Sequence, residues 1–208
     1  MTNKTRQIIV VVAVFAIAIA SIGTIIGLLF NTGQMSEYSD GFRYELNGSR
    51  ATITAYEGSD TEVVVPDKVR GNRVVGVSKD AFKSGASSIT SIKFNCTSSA
   101  FAFASEVFKE MTALKKVVLP SNLKEIPNEA FRGCKALESV IIPDSVTKIG
   151  ENAFRECTSL DFIYKSENYS TEGSSAIKDN AVYMPSGLLE IGAHAFDGCT
   201  DIVEMYFA

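Results

Sequence analysis

Apolar positions between residues 131 and 163 run through one pattern twice. In FRGCKALESVIIPDSVTKIGENAFRECTSLDFI, Phe131, Cys134, Leu137 and Val140 are answered by Phe154, Cys157, Leu160 and Ile163. Since 154 − 131 = 23, and the other three pairs keep that offset, the unit is 23 residues long. A unit this short cannot bury its own apolar face and must stack on its neighbours, so the pattern predicts a solenoid. Within one unit, Val140 and Ile142 alternate inward, and Pro143 closes the strand because it has no N–H for a ladder. Asp144-Ser145 turns the chain, Val146 and Ile149 point inward again, and Gly150 permits a tight bend. ENAFREC then predicts a short helical turn with Ala153, Phe154 and Cys157 toward the core.

The same spacing extends in both directions. A first unit runs from Val63 and Val65 to Phe82. A less regular second takes Ile89, Ile92 and Phe94 to Phe103 and Phe108, and a third runs from Leu114 and Val117 to Phe131. Phe82, Phe108, Phe131, Phe154 and Phe196 therefore predict one aromatic column. After Phe154 the offset changes, because 196 − 154 = 42 and two full units would need 46. The polar stretch 165–180, KSENYSTEGSSAIKDN, accounts for the break as a loop between two squeezed units. Such insertions gather on one face of a solenoid, often the binding face, although a surface loop of no consequence fits equally well. Ahead of the array, Phe42, Tyr44 and Leu46 alternate with polar residues up to Asn47-Gly48, and Ala51, Ile53 and Ala55 alternate on the return. This predicts a β-hairpin that caps the first unit. Residues 31–41, polar and containing Gly and Ser, read as a flexible linker, with the repeat domain spanning 42–208. The strand after Ile202 predicts an open edge, through which copies of the chain could associate.

The 46% hydrophobic content is inflated by residues 8–30, which hold no charged side chain. About 23 residues rising 1.5 Å each cover roughly 34 Å, enough to cross a hydrocarbon core of about 30 Å. Lys4 and Arg6 precede this run and no acidic residue appears before Glu37. Residues 1–7 are therefore expected in the cytoplasm, 8–30 as a single transmembrane anchor, and the rest outside the cell. The alternative is a secreted protein, released by cleavage after Ala18-Ile19-Ala20. Without Lys4 and Arg6, the 20 basic residues fall to 18 against 24 acidic ones, a net −6 for the outer part. That sign speaks against nucleic acid as a partner.

The strings CKALESVIIPDSVTKIGENAFRECTSL and LLEIGAHAFDGCTDI resemble bacterial surface leucine-rich repeats of the BspA type, and EVVVPDKVRGNRVVGVSKDAF resembles an opening unit of such proteins. The resemblance covers residues 42–208 and implies an α/β fold: a right-handed leucine-rich-repeat solenoid, strand-rich with short helical turns. It also implies a cell-surface setting, with adhesion or protein binding in some members and no chemistry in most.

The chain's own residues offer little for catalysis. Cys134, Cys157 and Cys199 share one repeat position and read as a buried column, although a disulfide between Cys134 and Cys157 is conceivable outside the cytoplasm. The single histidine, His194, occupies the slot filled elsewhere by Asn152, Glu129 and Asp80, which reads as a solvated turn edge. With one histidine and no phosphate-cradling glycine loop, the expectation is a non-enzyme without cofactor or metal. The expected partner is a protein or other surface macromolecule. It would be met by the outward residues Lys115, Lys116, Glu138, Ser139, Asp161 and Tyr164, and by Tyr169 in the loop. A self-associating surface scaffold is the alternative.

Overall fold

Each unit's alternation of apolar and polar residues yields a short strand, and successive strands lie side by side. The computed structural model describes residues 36–164 and 181–207, so the apolar segment 8–30, the 165–180 stretch and Tyr169 lie outside the described residues. Among the described residues no helix is long and apolar enough to cross a membrane. The strands are β1 (Ser36–Ser39), β2 (Phe42–Asn47), β3 (Arg50–Tyr56), β4 (Glu62–Val65), β5 (Lys68–Val69), β6 (Asn72–Val77), β7 (Ser91–Phe94) and β8 (Ala102–Phe103). They continue as β9 (Lys116–Val118), β10 (Glu125–Ile126), β11 (Ser139–Ile141), β12 (Lys148–Ile149), β13 (Phe162–Tyr164), β14 (Ala181–Tyr183), β15 (Glu190–Ile191) and β16 (Glu204–Tyr206).

Seven of these form a parallel sheet in the order β4, β7, β9, β11, β13, β14, β16, and β10, β12 and β15 form a smaller parallel sheet. Registers hold one residue type per column: Val117, Val140, Ile163 and Val182 follow one another across the large sheet, and none is exposed to solvent. Behind them runs the aromatic column. Phe108 and Phe131 stack with centroids 4.8 Å apart, Phe131 and Phe154 at 5.0 Å, and Phe154 and Phe196 at 5.2 Å. These separations approach the distance between neighbouring strands of a sheet, so the rings are spaced by the repeat itself. In the irregular second unit the column widens into an edge-to-face cluster. Phe94 lies 5.0 Å from Phe103, and Phe101 also lies 5.0 Å from Phe103, filling the space that a regular turn would occupy.

The expected hairpin is present. β2 and β3 pair antiparallel, with Asn47 opposite Arg50 as the last rung, so the positive φ falls on Gly48 alone (φ 60). Four residues of the stretch expected to be a linker, Ser36–Ser39, form β1 and pair with β2. β3 runs parallel to β6, and the Tyr56 N–H donates to the Ala81 carbonyl at 2.6 Å, closing the first turn of the stack.

The expectation of short helical turns is corrected. The helical segment among the described residues is one 3₁₀ turn, Lys83–Gly85, and the fold is strand-rich with almost no helix, which sets aside the α/β class. The reason lies in two columns of left-handed backbone. Glu106, Glu129, Asn152 and His194 form the first, with φ from 54 to 63. Glu110, Gly133, Glu156 and Gly198 form the second, with φ from 59 to 77. Two left-handed residues four apart cannot belong to a right-handed helix. The freed N–H groups turn to the next coil of the stack: those of Glu129, Phe131 and Gly133 donate to the carbonyls of Glu151, Ala153 and Arg155 at 2.9, 2.7 and 2.8 Å. Asn152, Phe154 and Glu156 repeat this toward Ala193, Ala195 and Asp197.

Gly150 is also required for a different reason from the bend expected of it. A Cβ there would stand 2.5 Å from the Asn128 backbone nitrogen and 2.7 Å from the Pro127 carbonyl carbon, in the coil beneath. Gly192 meets Glu151 in the same way, with the backbone nitrogen 2.4 Å from a Cβ.

Candidate interaction surface

The strand alternation that buries Val117 and Val140 turns their neighbours to the other side of the large sheet. One outward column is Glu62, Ser91, Lys116 and Ser139, in continuous register. The second, two residues along each strand, is Val64, Lys93, Val118 and Ile141. Tyr183 and Tyr206 hold the matching positions on β14 and β16, opposite each other, and their rings stack at 5.0 Å with planes 11° apart. The Tyr206 hydroxyl donates to the Glu204 carboxylate on the same strand.

Five of the seven sequence-predicted residues gather at the strand-start edge of this sheet, and a sixth, Tyr164, stands at the far end of β13. Lys115, Glu138 and Asp161 each stand immediately before β9, β11 and β13, and Lys116 and Ser139 lie opposite each other at the strand starts. Backbone bonds fix the group: the Glu138 N–H donates to the Lys115 carbonyl at 2.8 Å, and the Asp161 N–H to the Glu138 carbonyl at 3.2 Å. Lys115 Nζ pairs with Glu138 Oε1 at 3.1 Å, but both side chains are more than half exposed, so the pair contributes at most about 1 kcal/mol. Tyr164 holds the register position opposite Ile141.

Sequence reasoning named Lys116 and Ser139 of the first column and missed Val64, Lys93, Val118 and Ile141 of the second. Val64 is 53% exposed, Val118 is half-buried, and Ile141 is 7% exposed although it sits on the outward side. The signal was available for Val118 and Ile141, since each lies two residues from a named position, Lys116 or Ser139, on its strand. Where β7, β9 and β11 end, a shallow depression of about 560 Å³ opens on this face, lined among others by Lys93, Thr97, Val118, Ser121 and Ile141. Its rim is tied down by Asp67, which accepts from the Thr97 N–H at 2.8 Å and hydroxyl at 2.9 Å; the backbone bond in particular holds the Asp67 carboxyl below its ordinary pKa.

The chemistry of the other singled-out residues is structural. All four cysteines are free, so the disulfide conceived between Cys134 and Cys157 is not formed. The column serves instead as a line of donors: the thiols of Cys134, Cys157 and Cys199 donate to the carbonyls of Phe108, Phe131 and Phe154 at 2.9, 3.1 and 3.0 Å. Burial pushes Cys134 and Cys199 up to about 12 and Cys157 higher still, which leaves no thiolate at neutral pH. His194 is exposed in its left-handed turn.

Residues 76–203 match the family model described as a BspA type leucine rich repeat region, in six copies. No curated protein matches the chain. Among solved structures, a leucine-rich repeat protein of T. pallidum is 25% identical with a TM-score of 0.63, the alignment covering 82% of this chain and 81% of that one. A leucine-rich cell surface protein of Faecalibacterium prausnitzii is 20% identical with a TM-score of 0.50, over 84% of this chain and 55% of that one. A leucine-rich repeat protein of Bacteroides ovatus is also 20% identical at 0.50, over 82% and 52%. The chain thus spans about half the length of the last two.

Proposed function

Because the chain belongs to the BspA-type leucine-rich repeat family, we propose that it is a non-catalytic scaffold that binds a protein partner through the outward face of its seven-stranded sheet. Residues 8–30 would hold it to a cell membrane with the repeat domain outside. The observation that carries the reading is the second outward column. Val64, Val118, Ile141 and the stacked pair Tyr183 and Tyr206 place large side chains on the outward side of the sheet, where Val64 is exposed and Val118 half-buried. Aromatic and aliphatic anchors of this kind dominate binding energy at protein interfaces, and a rigid sheet presents them without an ordering cost. The apolar run 8–30, with Lys4 and Arg6 before it, supports the anchor and its orientation.

Photocrosslinking in intact cells tests both parts. A benzophenone side chain at Val118 of the full chain should give a saturable adduct that is lost with Ile141→Asp, whereas the same probe at Lys124, beside the small sheet, should not. Protease added outside should degrade the repeat domain, and Lys4→Glu/Arg6→Glu should reduce that access. Equal crosslinking from both positions would overturn the sheet-face reading, and complete protection from protease would overturn the orientation.

A further inference from the structure

One joint of the stack is made differently from those that follow it. Between the later coils, three alternate turn N–H groups cross to three carbonyls, as from Glu106, Phe108 and Glu110 to Asn128, Ala130 and Arg132. The matching donors of the first coil are Asp80, Phe82 and Ser84, 26 residues earlier, and the matching acceptors are Ser105, Val107 and Lys109, 23 residues earlier. Among the described residues none of these three N–H groups donates and none of these three carbonyls accepts. Neither Asp80 nor Ser84 has the left-handed backbone of Glu106 and Glu110, and the 3₁₀ turn Lys83–Gly85 stands in its place.

Spacing agrees with the missing bonds. The Phe82 and Phe108 rings lie 5.7 Å apart, against 4.8, 5.0 and 5.2 Å for the pairs further along the column. A cleft of about 440 Å³ separates the two turns, lined among others by Lys79, Lys83, Val107, Glu110 and Met111. Elsewhere the joint is sewn. Glu62–Val65 pairs with Ser91–Phe94 over four rungs, and Gly76 and Val77 pair with Ala102 and Phe103. Across the cleft itself, the Ala113 N–H reaches the Ala86 carbonyl at 3.3 Å, and Lys79 Nζ reaches Glu106 at 3.0 Å from a side chain more than half exposed. The first turn is tied to the hairpin instead: the Tyr56 N–H donates to the Ala81 carbonyl at 2.6 Å, and the Ser84 hydroxyl donates to the Tyr56 carbonyl at 2.7 Å.

We infer that this joint is a hinge: the hairpin and the first coil move as one body against the rest of the stack, with the β4–β7 ladder as the pin and the cleft opening and closing on the turn side. Water can bond both rows of unpaired backbone groups at any angle, so opening breaks no ladder and exchanges bonds of nearly equal worth. At the later joints the same motion would break three backbone bonds at once. Val64 rides on the moving body while Val118 and Ile141 stay with the array, so the hinge angle sets their separation on the outward face.

Hydrogen exchange of the full chain in detergent micelles, read residue by residue by mass spectrometry, tests the open side. The Phe82 amide should exchange about tenfold or more faster than those of Phe108, Phe131 and Phe154, although all four residues are buried. The Tyr56 and Ser78 amides, bonded to Ala81 and Ile53, should stay protected. Equal protection at Phe82 would overturn the inference. Fast exchange at Tyr56 would overturn it too, because the cap would then be fraying as a whole. Motion is read with nitroxide pairs, Lys83 with Glu110 across the cleft and Arg132 with Glu156 at the corresponding positions of a later joint. The first pair should give the broader spread of distances. A spread no wider than the second pair's would mean that the joint is open but rigid, and the hinge would be wrong.

Discussion

At the residue scale, the positions that matter most are those whose role cannot be guessed from chemical type. Gly150 lacks a side chain because a neighbouring coil passes through the space a Cβ would need, not because of an unusual φ. Gly133, in contrast, is left-handed (φ 74), yet Glu110 and Glu156 fill the same slot in adjoining coils, so this backbone accepts a side chain there. The two glycines should respond in opposite ways. Gly150→Ala should lower the stability of the full chain by about 1–3 kcal/mol through overpacking against fixed backbone. Gly133→Glu should cost about 1 kcal/mol, the low end for a left-handed side chain, because the slot already holds Glu in the adjoining coils. Chemical denaturation ranks the two, and the reverse order would contradict the packing described for Gly150.

At the element scale, the turns explain both what was legible in the sequence and what was not. Strands could be read because a buried column leaves a trace: Val117, Val140 and Ile163 recur at one offset, and the Phe column announces itself at Phe131 and Phe154. The hairpin could be read from alternation, although the 36–39 strand could not, since Ser, Glu and Tyr on an edge carry no apolar period. The turns were misread because their first left-handed column holds Glu, Asn and His in place of a signalling glycine, and because their hydrogen bonds go to another coil, which local sequence does not reveal. The outward sheet face was half legible, since alternation gave Lys116 and Ser139 but charge and polarity drew attention away from Val118 and Ile141.

The same turns carry an ion-pair ladder with a pH signature. Lys109 Nζ donates to Glu106 at 2.9 Å and to Glu129 at 2.8 Å, while Lys79 and Arg132 approach the same two carboxylates at 3.0 Å each. The Lys109 bonds are the main reason both carboxyls titrate below their ordinary range. Their contribution is complete above the unfolded value of about 4.3 and is lost as pH falls through the lower folded values. Lys109 is raised in turn, chiefly by Glu129, so its share is complete below about 10.4 and fades only as pH climbs through its folded value. Melting temperature should therefore decline on acidification below about pH 4, and Lys109→Met should make that decline shallower. An acid limb of equal depth in the variant would show that the ladder contributes nothing.

At the scale of the whole molecule, stability is a sum over contacts between adjacent coils, with no contact reaching across several. The coils from Phe131 to Phe154 repeat so closely that a duplicated segment should find its place. A second copy of residues 132–154 inserted after Phe154 would offer the Phe, Cys and Val of one more coil to the columns on either side. Thermal unfolding of that longer chain should stay cooperative, with a midpoint no lower than the parent's. A broadened or split transition would mean that the coils are not interchangeable.

That tolerance has a direction. In the left-handed turns the N–H bonds between coils, from Glu106 to Asn128, from Glu129 to Glu151 and from Asn152 to Ala193, point from the earlier coil to the later one, whereas those from Thr147 to Lys124 and from Gly150 to Ile126, elsewhere on the coil, point back. The peptide dipoles on this side of the stack therefore add head to tail, as they do along the axis of a helix. The hairpin, through Tyr56 and Ala81, meets the carbonyl pole. This side of the stack is thus polar and able to recognise the order of its own coils: a coil laid in reverse would set donor against donor there and find no partner.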